Sequence, residues 1–319
     1  MSSISEKIIS SLEKLGCKAR IVSVSHLNEM RDELFALRDS NIIDKKLYKD
    51  MLSGMNFNPD KTLVNAKSII IIAAPQVIAK ANFHYKSNIY SLSLPPTYVA
   101  GDIKSKVKEV MGEISSKYGF NTFGTKLPQK QLAVKSGLAK YGKNNITYID
   151  GMGSFHVLMS YYTDLDLLTD SWKAAEIDSD CTKCSICLKN CPTEAISEKR
   201  FLIRAERCIT FFNEYEDEFP QWVKPEWHNS LMGCMSCQLK CPKNAAFANK
   251  PKVIVSFTEE ETIMLLDKVS LESLPEATIK KLEDIEMTSN YSFLSRNIKI
   301  LLTDAFIMKD AKKMVPDLE

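Results

Sequence analysis

Cys181-Thr-Lys-Cys184-Ser-Ile-Cys187-Leu-Lys-Asn-Cys191-Pro192 decides how the rest of this chain is read. The spacing is C-x2-C-x2-C-x3-C-P, a run whose thiolates hold 4Fe-4S clusters in two-cluster proteins. Two-residue spacers let three thiolates of one loop reach three irons of a single cubane, while the fourth cysteine ligates a second cluster. The motif therefore calls for more cysteines downstream. Gly233-Cys234-Met-Ser-Cys237-Gln-Leu-Lys-Cys241-Pro242 supplies three of them, and Cys208 the last. Cross-ligation assigns Cys181, Cys184, Cys187 and Cys241 to one cluster and Cys191, Cys208, Cys234 and Cys237 to the other. Zinc is the competing reading, but zinc motifs usually present paired C-x2-C hooks, and a four-cysteine run closed by Cys-Pro fits them poorly.

Composition sets the context. The chain has 319 residues, 45% of them apolar and 9% aromatic, enough for roughly two domains with a sizeable core. Lys and Arg (42) nearly balance Asp and Glu (40), so bulk charge favours no class of partner. Of nine cysteines, only Cys17 lies outside residues 181 to 241, and such clustering reads as metal ligation. Cys17 itself reads as a packing residue. The amino terminus places Glu6 and Lys7 where a signal peptide needs hydrophobes, and no twin-arginine pair follows. The most apolar stretch, Ile69 to Ala79, falls far short of the ~20 residues of a membrane span. These features predict a cytoplasmic protein without a membrane partner, in a compartment where disulfides are disfavoured.

Around the cysteine section, periodicity predicts intermixed helices and strands. Ile4, Ile8, Leu12 and Leu15 lie at helical spacing before Gly16, and Leu27, Met30, Leu34 and Leu37 repeat the pattern. A short strand is expected over Ile21 to Val24. Ser68-Ile-Ile-Ile-Ile-Ala-Ala reads as a strand buried on both faces and stopped by Pro75. Val107, Val110, Met111 and Ile114 mark a further helix, Phe120 to Thr125 a strand, and Lys130 to Ser136 a helix ending at Gly137. Ile146 to Ile149 and Phe155 to Tyr162 read as two strands joined through Asp150-Gly-Met-Gly. Thr258-Glu-Glu-Glu261 resembles a capping box, with helical patterns near 276–286 and 293–302. The expected organisation is an α/β (α+β) domain over residues 1–175, a ferredoxin-like double-cluster domain over 176–248, and a helical segment over 249–319.

Two local features carry alternatives. Between Ile114 and Ile149 there are no acidic residues but six lysines, 117, 126, 130, 135, 140 and 143. They read as a solvated face or as an electropositive cleft for an anionic substrate, with the lack of Arg weakening a nucleic-acid version. Between Cys208 and Cys234 lies an acidic, aromatic insertion, Phe211-Phe-Asn-Glu-Tyr-Glu-Asp-Glu, which reads as a solvated loop, room for another cofactor, or a docking surface.

Several segments resemble the epoxyqueuosine reductases, cobalamin-dependent tRNA-modifying enzymes related to reductive dehalogenases. They include Cys191-Pro-Thr-Glu-Ala-Ile196, Arg207-Cys208-Ile209-Thr210, Gly233 to Asn244, and Lys135-Ser-Gly137-Leu-Ala-Lys-Tyr-Gly142-Lys143-Asn144. Gly153-Ser154-Phe155 and Thr163-Asp164-Leu165 extend the likeness, in the family's order, from about residue 10 to 250. The resemblance implies a cobalamin-binding leading domain, with Gly137, Leu138, Gly142, Lys143, Asn144 and Ser154 as cofactor-binding residues. It also implies a cytoplasmic reductase in which clusters pass single electrons to cobalt, fed by a flavodoxin, ferredoxin or reductase, on a small-molecule or tRNA substrate. None of His26, His84, His156 and His228 has the Asp of a D-x-H-x-x-G motif before it, which fits base-off cobalamin or no cobalamin.

The family pattern puts an acidic aspartate three residues before a proline ahead of the glycine-rich segment. Here that proline is Pro128 and the residue is Thr125, too weak an acid for the role at neutral pH. A substrate other than, or in addition to, epoxyqueuosine tRNA is therefore expected, with Thr125, Tyr141 or Lys126 as candidate catalytic residues. The helical tail is also shorter than in many members. A non-catalytic ferredoxin-type electron carrier or reductase subunit is the alternative reading, and it leaves the leading domain without a role.

Overall fold

The computed structural model describes residues 3–166 and 170–314, with side chains described up to residue 303, so the ends of the expected outer segments lie outside the described residues. Nine strands are described: β1 Lys18–Ser23, β2 Ser68–Pro75, β3 Ala79–Tyr85, β4 Asn88–Leu94, β5 Thr122–Gly124, β6 Lys140–Tyr141, β7 Thr147–Tyr148, β8 His156–Thr163 and β9 Lys252–Phe257. The main sheet has the order β1-β2-β8-β5, and each neighbouring pair is antiparallel. Its central strand is the apolar run expected from the sequence. Ile69, Ile71 and Ala73 face a core with Met30 and Leu132, while Ile70, Ile72 and Ala74 face another with Ile8, Leu12, Val107 and Met111. Helices on both sides thus bury β2 from Ser68 to Ala74, which is why it lacks the alternation of a half-exposed antiparallel strand. Each buried isoleucine side chain contributes about 1.5–3 kcal/mol to that packing.

The helices over this sheet follow from their sequence signals. Ser3 and Glu6 form a reciprocal capping box at the start of helix Ile4–Glu13. Gly119, at φ 71°, ends helix Gly101–Tyr118, and Gly137, at φ 74°, follows helix Gln129–Lys135. Thr258 and Glu261 form the expected box ahead of helix Glu259–Leu266. Cys17 is buried in the core, as a packing residue would be.

A second sheet departs from the sequence reading. β3 and β4 form a hairpin whose turn residues, Lys86 and Ser87, both take positive φ without a glycine to announce them. β9 joins β3 in parallel across a gap of more than 160 residues, pairing Ala79 with Lys252 and Phe83 with Phe257. The hairpin and the C-terminal helices then share one core through Phe83, Leu94, Phe257, Leu282 and Ile298, which also takes in Leu231 and Met232 of the cysteine section. The segment after 249 is accordingly a strand followed by helices. β7 is a correction as well: it pairs with β6 rather than with β8, and Ile149 bridges Gly153 across the turn.

Candidate double-cluster site and adjoining cavity

The ligand loops are short and their thiols fall into two groups. The field of Cys241 and Cys184 reaches Cys181, and that of Cys181 and Cys184 reaches Cys187. The field of Cys234 and Cys191 reaches Cys208, and Cys237 feels Cys234, Cys208 and Cys191. Each group mixes cysteines of the two motifs. Helices Ile186–Lys189 and Ser236–Leu239, each carrying a cysteine, pack together between them. Among the described residues, no three His, Cys, Asp or Glu side chains crowd round one point as a single metal ion requires. Burial pushes the Cys208 thiol up to about 11 and Cys237 strongly in the same direction. Thiolates at that depth need a bound cation to carry their charge, because a coordinating thiol is deprotonated outright.

The leading domain grips these loops through one joint. Ser154 N–H donates to Asn244 Oδ1 (2.8 Å), Asn244 Nδ2 donates to Ser154 Oγ (2.8 Å), and Ser154 Oγ donates to Gln238 Oε1 (2.8 Å). Asn244 is fully buried. A second grip comes from Lys143, whose Nζ donates to the carbonyls of Thr182 (3.1 Å) and Cys184 (3.0 Å). Asn144 Nδ2 donates to the Tyr148 hydroxyl at 3.0 Å. Tyr148 is itself hydrogen-bonded to Cys241, and Asn144 to Cys237. A β-carbon on Gly142 would meet the Tyr148 ring at 2.5 Å, so this segment closes onto the thiols only with glycine there.

A cavity of about 430 Å³ lies between the two sections. All four thiols of one quartet, Cys191, Cys208, Cys234 and Cys237, line it; none of the other four does. Gln129, Lys130, Asn144, Thr147, His156 and Leu158 supply the facing wall. His156 Nε2 meets Thr147 Oγ1 at 3.0 Å, and burial holds the imidazole down to about 4, so it is neutral. His156 Nδ1 and Gln129 Oε1 are buried without a protein partner. No carboxylate lines the cavity among the described residues.

Residues 180–244 match the family described as a 4Fe-4S double cluster binding domain. The epoxyqueuosine reductase of Cellulophaga algicola is 26% identical over 289 residues, covering 88% of this chain and 92% of that protein. Its Escherichia coli counterpart is 32% identical over 142 residues, covering 44% of this chain and 36% of that protein. The epoxyqueuosine reductase structure from Streptococcus thermophilus superposes with a TM-score of 0.68 at 19% identity, over 95% of this chain and 82% of that one. The chain is similar to the epoxyqueuosine reductases over most of its length. Its homologues are oxidoreductases, and a further one, with a TM-score of 0.67 at 18% identity and covering 94% of this chain and 81% of that one, was solved with an epoxyqueuosine-modified tRNA stem loop.

In this epoxyqueuosine reductase-like chain, the residues singled out from the sequence are scattered over several places. Of Gly137, Leu138, Gly142, Lys143, Asn144 and Ser154, only Asn144 and Ser154 line the cavity. Leu138 is in the core, Gly137 lies against Lys173, and Gly142 and Lys143 serve the cluster loops. Tyr141 is buried outside the cavity lining with its ring edge-on to Phe201, and burial raises its hydroxyl. Lys126 is exposed and outside the cavity lining. Thr125 lines an adjoining groove with Ser160 and Gln129, where its hydroxyl bonds that of Ser160 and Gln129 Nε2 donates to Ser160 Oγ at 2.8 Å.

The six lysines make no common cleft either. Lys135 is buried between Glu29 and Glu33, Lys117 lies over Tyr118, Lys143 holds the cluster loop, and Lys130 alone reaches the cavity. The insertion after Cys208 packs inward through Asn213, whose Nδ2 donates to the Gly233 carbonyl at 2.7 Å, while Glu216, Asp217 and Glu218 stay exposed. Gln129 and His156 are the site residues that sequence reasoning missed. Neither belongs to a motif, and they are brought to the cavity by helix Gln129–Lys135 and by β8.

Proposed function

We propose that this chain is an iron–sulfur reductase with two 4Fe-4S clusters, one on Cys181, Cys184, Cys187 and Cys241 and the other on Cys191, Cys208, Cys234 and Cys237. The observation that carries the reading is the cavity wall made by all four thiols of the second quartet. A cluster held by Cys191, Cys208, Cys234 and Cys237 would supply one-electron chemistry at the cavity wall. A ferredoxin-type carrier has no use for such a chamber, which ranks that alternative lower.

The occupant we propose is a corrinoid, cobalamin by family resemblance. The residues fit it. A corrin presents a broad apolar face edged with carboxamides, and the cavity offers Pro95, Pro96, Ile146 and Leu158 beside the amides of Gln129, Asn144 and Gln238. The buried, unpartnered Gln129 Oε1 is an acceptor for a carboxamide N–H. When bound, a corrinoid supplies a strongly reducing metal centre for two-electron chemistry. The chain's own part is positional and electrostatic: Asn144 and Gln238 fix the edge, neutral His156 adds no charge, and the packed joint at Asn244 excludes water.

Thr125 stands where the family places its acid, by resemblance, in a groove with the Ser160 hydroxyl, the Gln129 amide, Lys104 and Lys108 and no carboxylate among the described residues. The substrate is therefore one other than, or in addition to, epoxyqueuosine in tRNA. Anaerobic reconstitution tests the whole reading. About eight irons per chain, with corrinoid retained through gel filtration at about one per chain, is the expected result; zinc alone, or about four irons, refutes the cluster assignment.

A further inference from the structure

One quartet of thiols lines the cavity, while the outer one, Cys181, Cys184, Cys187 and Cys241, stays clear of it. A reductive step there consumes protons as well as electrons, and neither Thr125 nor any carboxylate lines the wall among the described residues. Tyr98 does line it. Its ring is closely held: a β-carbon on Gly233 would stand 3.0 Å from the ring and 3.2 Å from the hydroxyl oxygen. That hydroxyl is hydrogen-bonded to Glu214. Glu214 is the carboxyl of the acidic insertion that turns inward, while Glu216, Asp217 and Glu218 stay exposed. It is not part of the cavity lining, so Tyr98 is its link to that space.

The same tyrosine also faces outward. Thr97 and Tyr98 line a surface groove with Glu283 and Glu286. Glu286 accepts the Ala100 N–H at 2.6 Å and lies 3.4 Å from Lys104 Nζ. Burial raises the Glu214 carboxyl to about 7, against the lowering pull of its hydrogen bond with Tyr98. It therefore holds an exchangeable proton close to neutral pH, as a general acid must. Burial, then Glu214, Cys208 and Cys234, push the Tyr98 hydroxyl well up, and Glu214 also raises its neighbour Tyr215. A Tyr98 phenolate is thus disfavoured, and the tyrosine gives up a proton only while taking one from Glu214.

We propose that Tyr98 is the proton donor to the substrate in the cavity and that Glu214 reloads it, in place of an acid at Thr125. The inference rests on the reductase reading above. In the step, the substrate gains two electrons from the reduced metal centres, which are oxidised by the same number. The Tyr98 O–H bond breaks as the substrate's new bond to hydrogen forms. The Glu214 carboxyl proton passes to the Tyr98 oxygen in the same motion, and solvent returns a proton to the carboxylate.

The probe is an epoxyqueuosine-modified tRNA stem loop, the ligand of the relative solved with one, given to the anaerobically loaded chain with dithionite as reductant. In the parent, product formation should fall about tenfold per pH unit above about 7. Tyr98→Phe should lower it about 10²–10⁴-fold at unchanged iron and corrinoid content, and adding Thr125→Asp should recover most of the loss. Glu214→Gln should be slow and flat with pH. Infrared spectra of the loaded chain give a readout without substrate. A protonated-carboxyl carbonyl band should vanish as pH rises through about 7, be missing in Glu214→Gln and shift in frequency in Tyr98→Phe. Equal rates in the parent and Tyr98→Phe, or a parent rate flat with pH, overturn the relay. If the parent is inert on the stem loop, the infrared band decides alone: no band, or one that Tyr98→Phe leaves unmoved, overturns it. A parent chain short of about eight irons, or without corrinoid, refutes the reductase reading instead, a separate outcome.

Discussion

A β-carbon on Gly153 would lie 2.3 Å from Asn244 Oδ1 and 2.8 Å from the Lys243 carbonyl oxygen. The turn before β8 and the end of the last ligand loop therefore touch with no clearance, and Gly153 also sits at φ 57°. Gly153→Ala should destabilise the loaded chain by about 2–4 kcal/mol, from clash and left-handed strain together. Asn244→Ala leaves the buried Ser154 N–H unpaired and should cost about 1–3 kcal/mol. Urea titrations of both variants check this; midpoints equal to the parent's would show that the joint is slack.

Cross-ligation makes a pairing prediction. Cys187→Ser and Cys241→Ser, far apart in sequence, should abolish the same reduced-cluster EPR signal, while Cys191→Ser and Cys237→Ser abolish the other. If Cys191→Ser and Cys187→Ser remove one signal together, the quartets are local and the assignment is wrong.

Tyr148 donates toward the Cys241 sulfur. Hydrogen bonds to cluster sulfurs help set the reduction potential. Tyr148→Phe should therefore move the midpoint of the outer cluster to a more negative value at unchanged iron content. An EPR-monitored redox titration reads the shift, and coincident curves would rule the contact out as a determinant.

Thr125→Asp restores a carboxyl group beside Ser160 and Gln129. Reduction of epoxyqueuosine in a tRNA stem loop should rise about 10²–10⁴-fold over the parent chain, the span of general acid catalysis. Mass spectrometry of the product nucleoside measures it. A parent chain already as active as the variant would mean that Thr125 is no handicap.

Glu214 accepts a hydrogen bond from the Tyr98 hydroxyl, yet burial raises its carboxyl from 4.5 to about 7. Between those values the folded chain keeps a proton that the unfolded chain has released. Stability from this group is thus full below about 4.5 and lost as pH rises through about 7. Glu214→Gln should flatten that fall and be the more stable form near pH ~8, by up to about 3 kcal/mol. Parallel stability curves for the two proteins would contradict it.

The double-cluster section, the buried strand and most helices were legible because their signals are local: fixed spacing, an apolar run, capping residues. The β3–β4 hairpin was not, since Lys86 and Ser87 take turn angles that usually announce themselves with Asn-Gly. Nor was the partner of β3, because no local pattern encodes a strand at 252–257. At the site, Lys143 was noticed for its segment, but its destination on the Thr182 and Cys184 carbonyls is a tertiary fact. Gln129 and His156 escaped for the same reason: each is defined by what it faces across the cavity, and a cavity has no spacing in sequence.

The parallel pairing of β3 with β9 has a bearing on how the protein is made. The ribosome delivers the hairpin first, then the eight cysteines at 181–241, and only afterwards the strand that completes the small sheet. Iron-binding loops thus emerge while Phe83 and Leu94 still await Phe257 and Ile298 as neighbours. Assembly of the metal centres is then tied to the last quarter of translation, and a nascent chain stalled before residue 252 would present its thiols on an unfinished support.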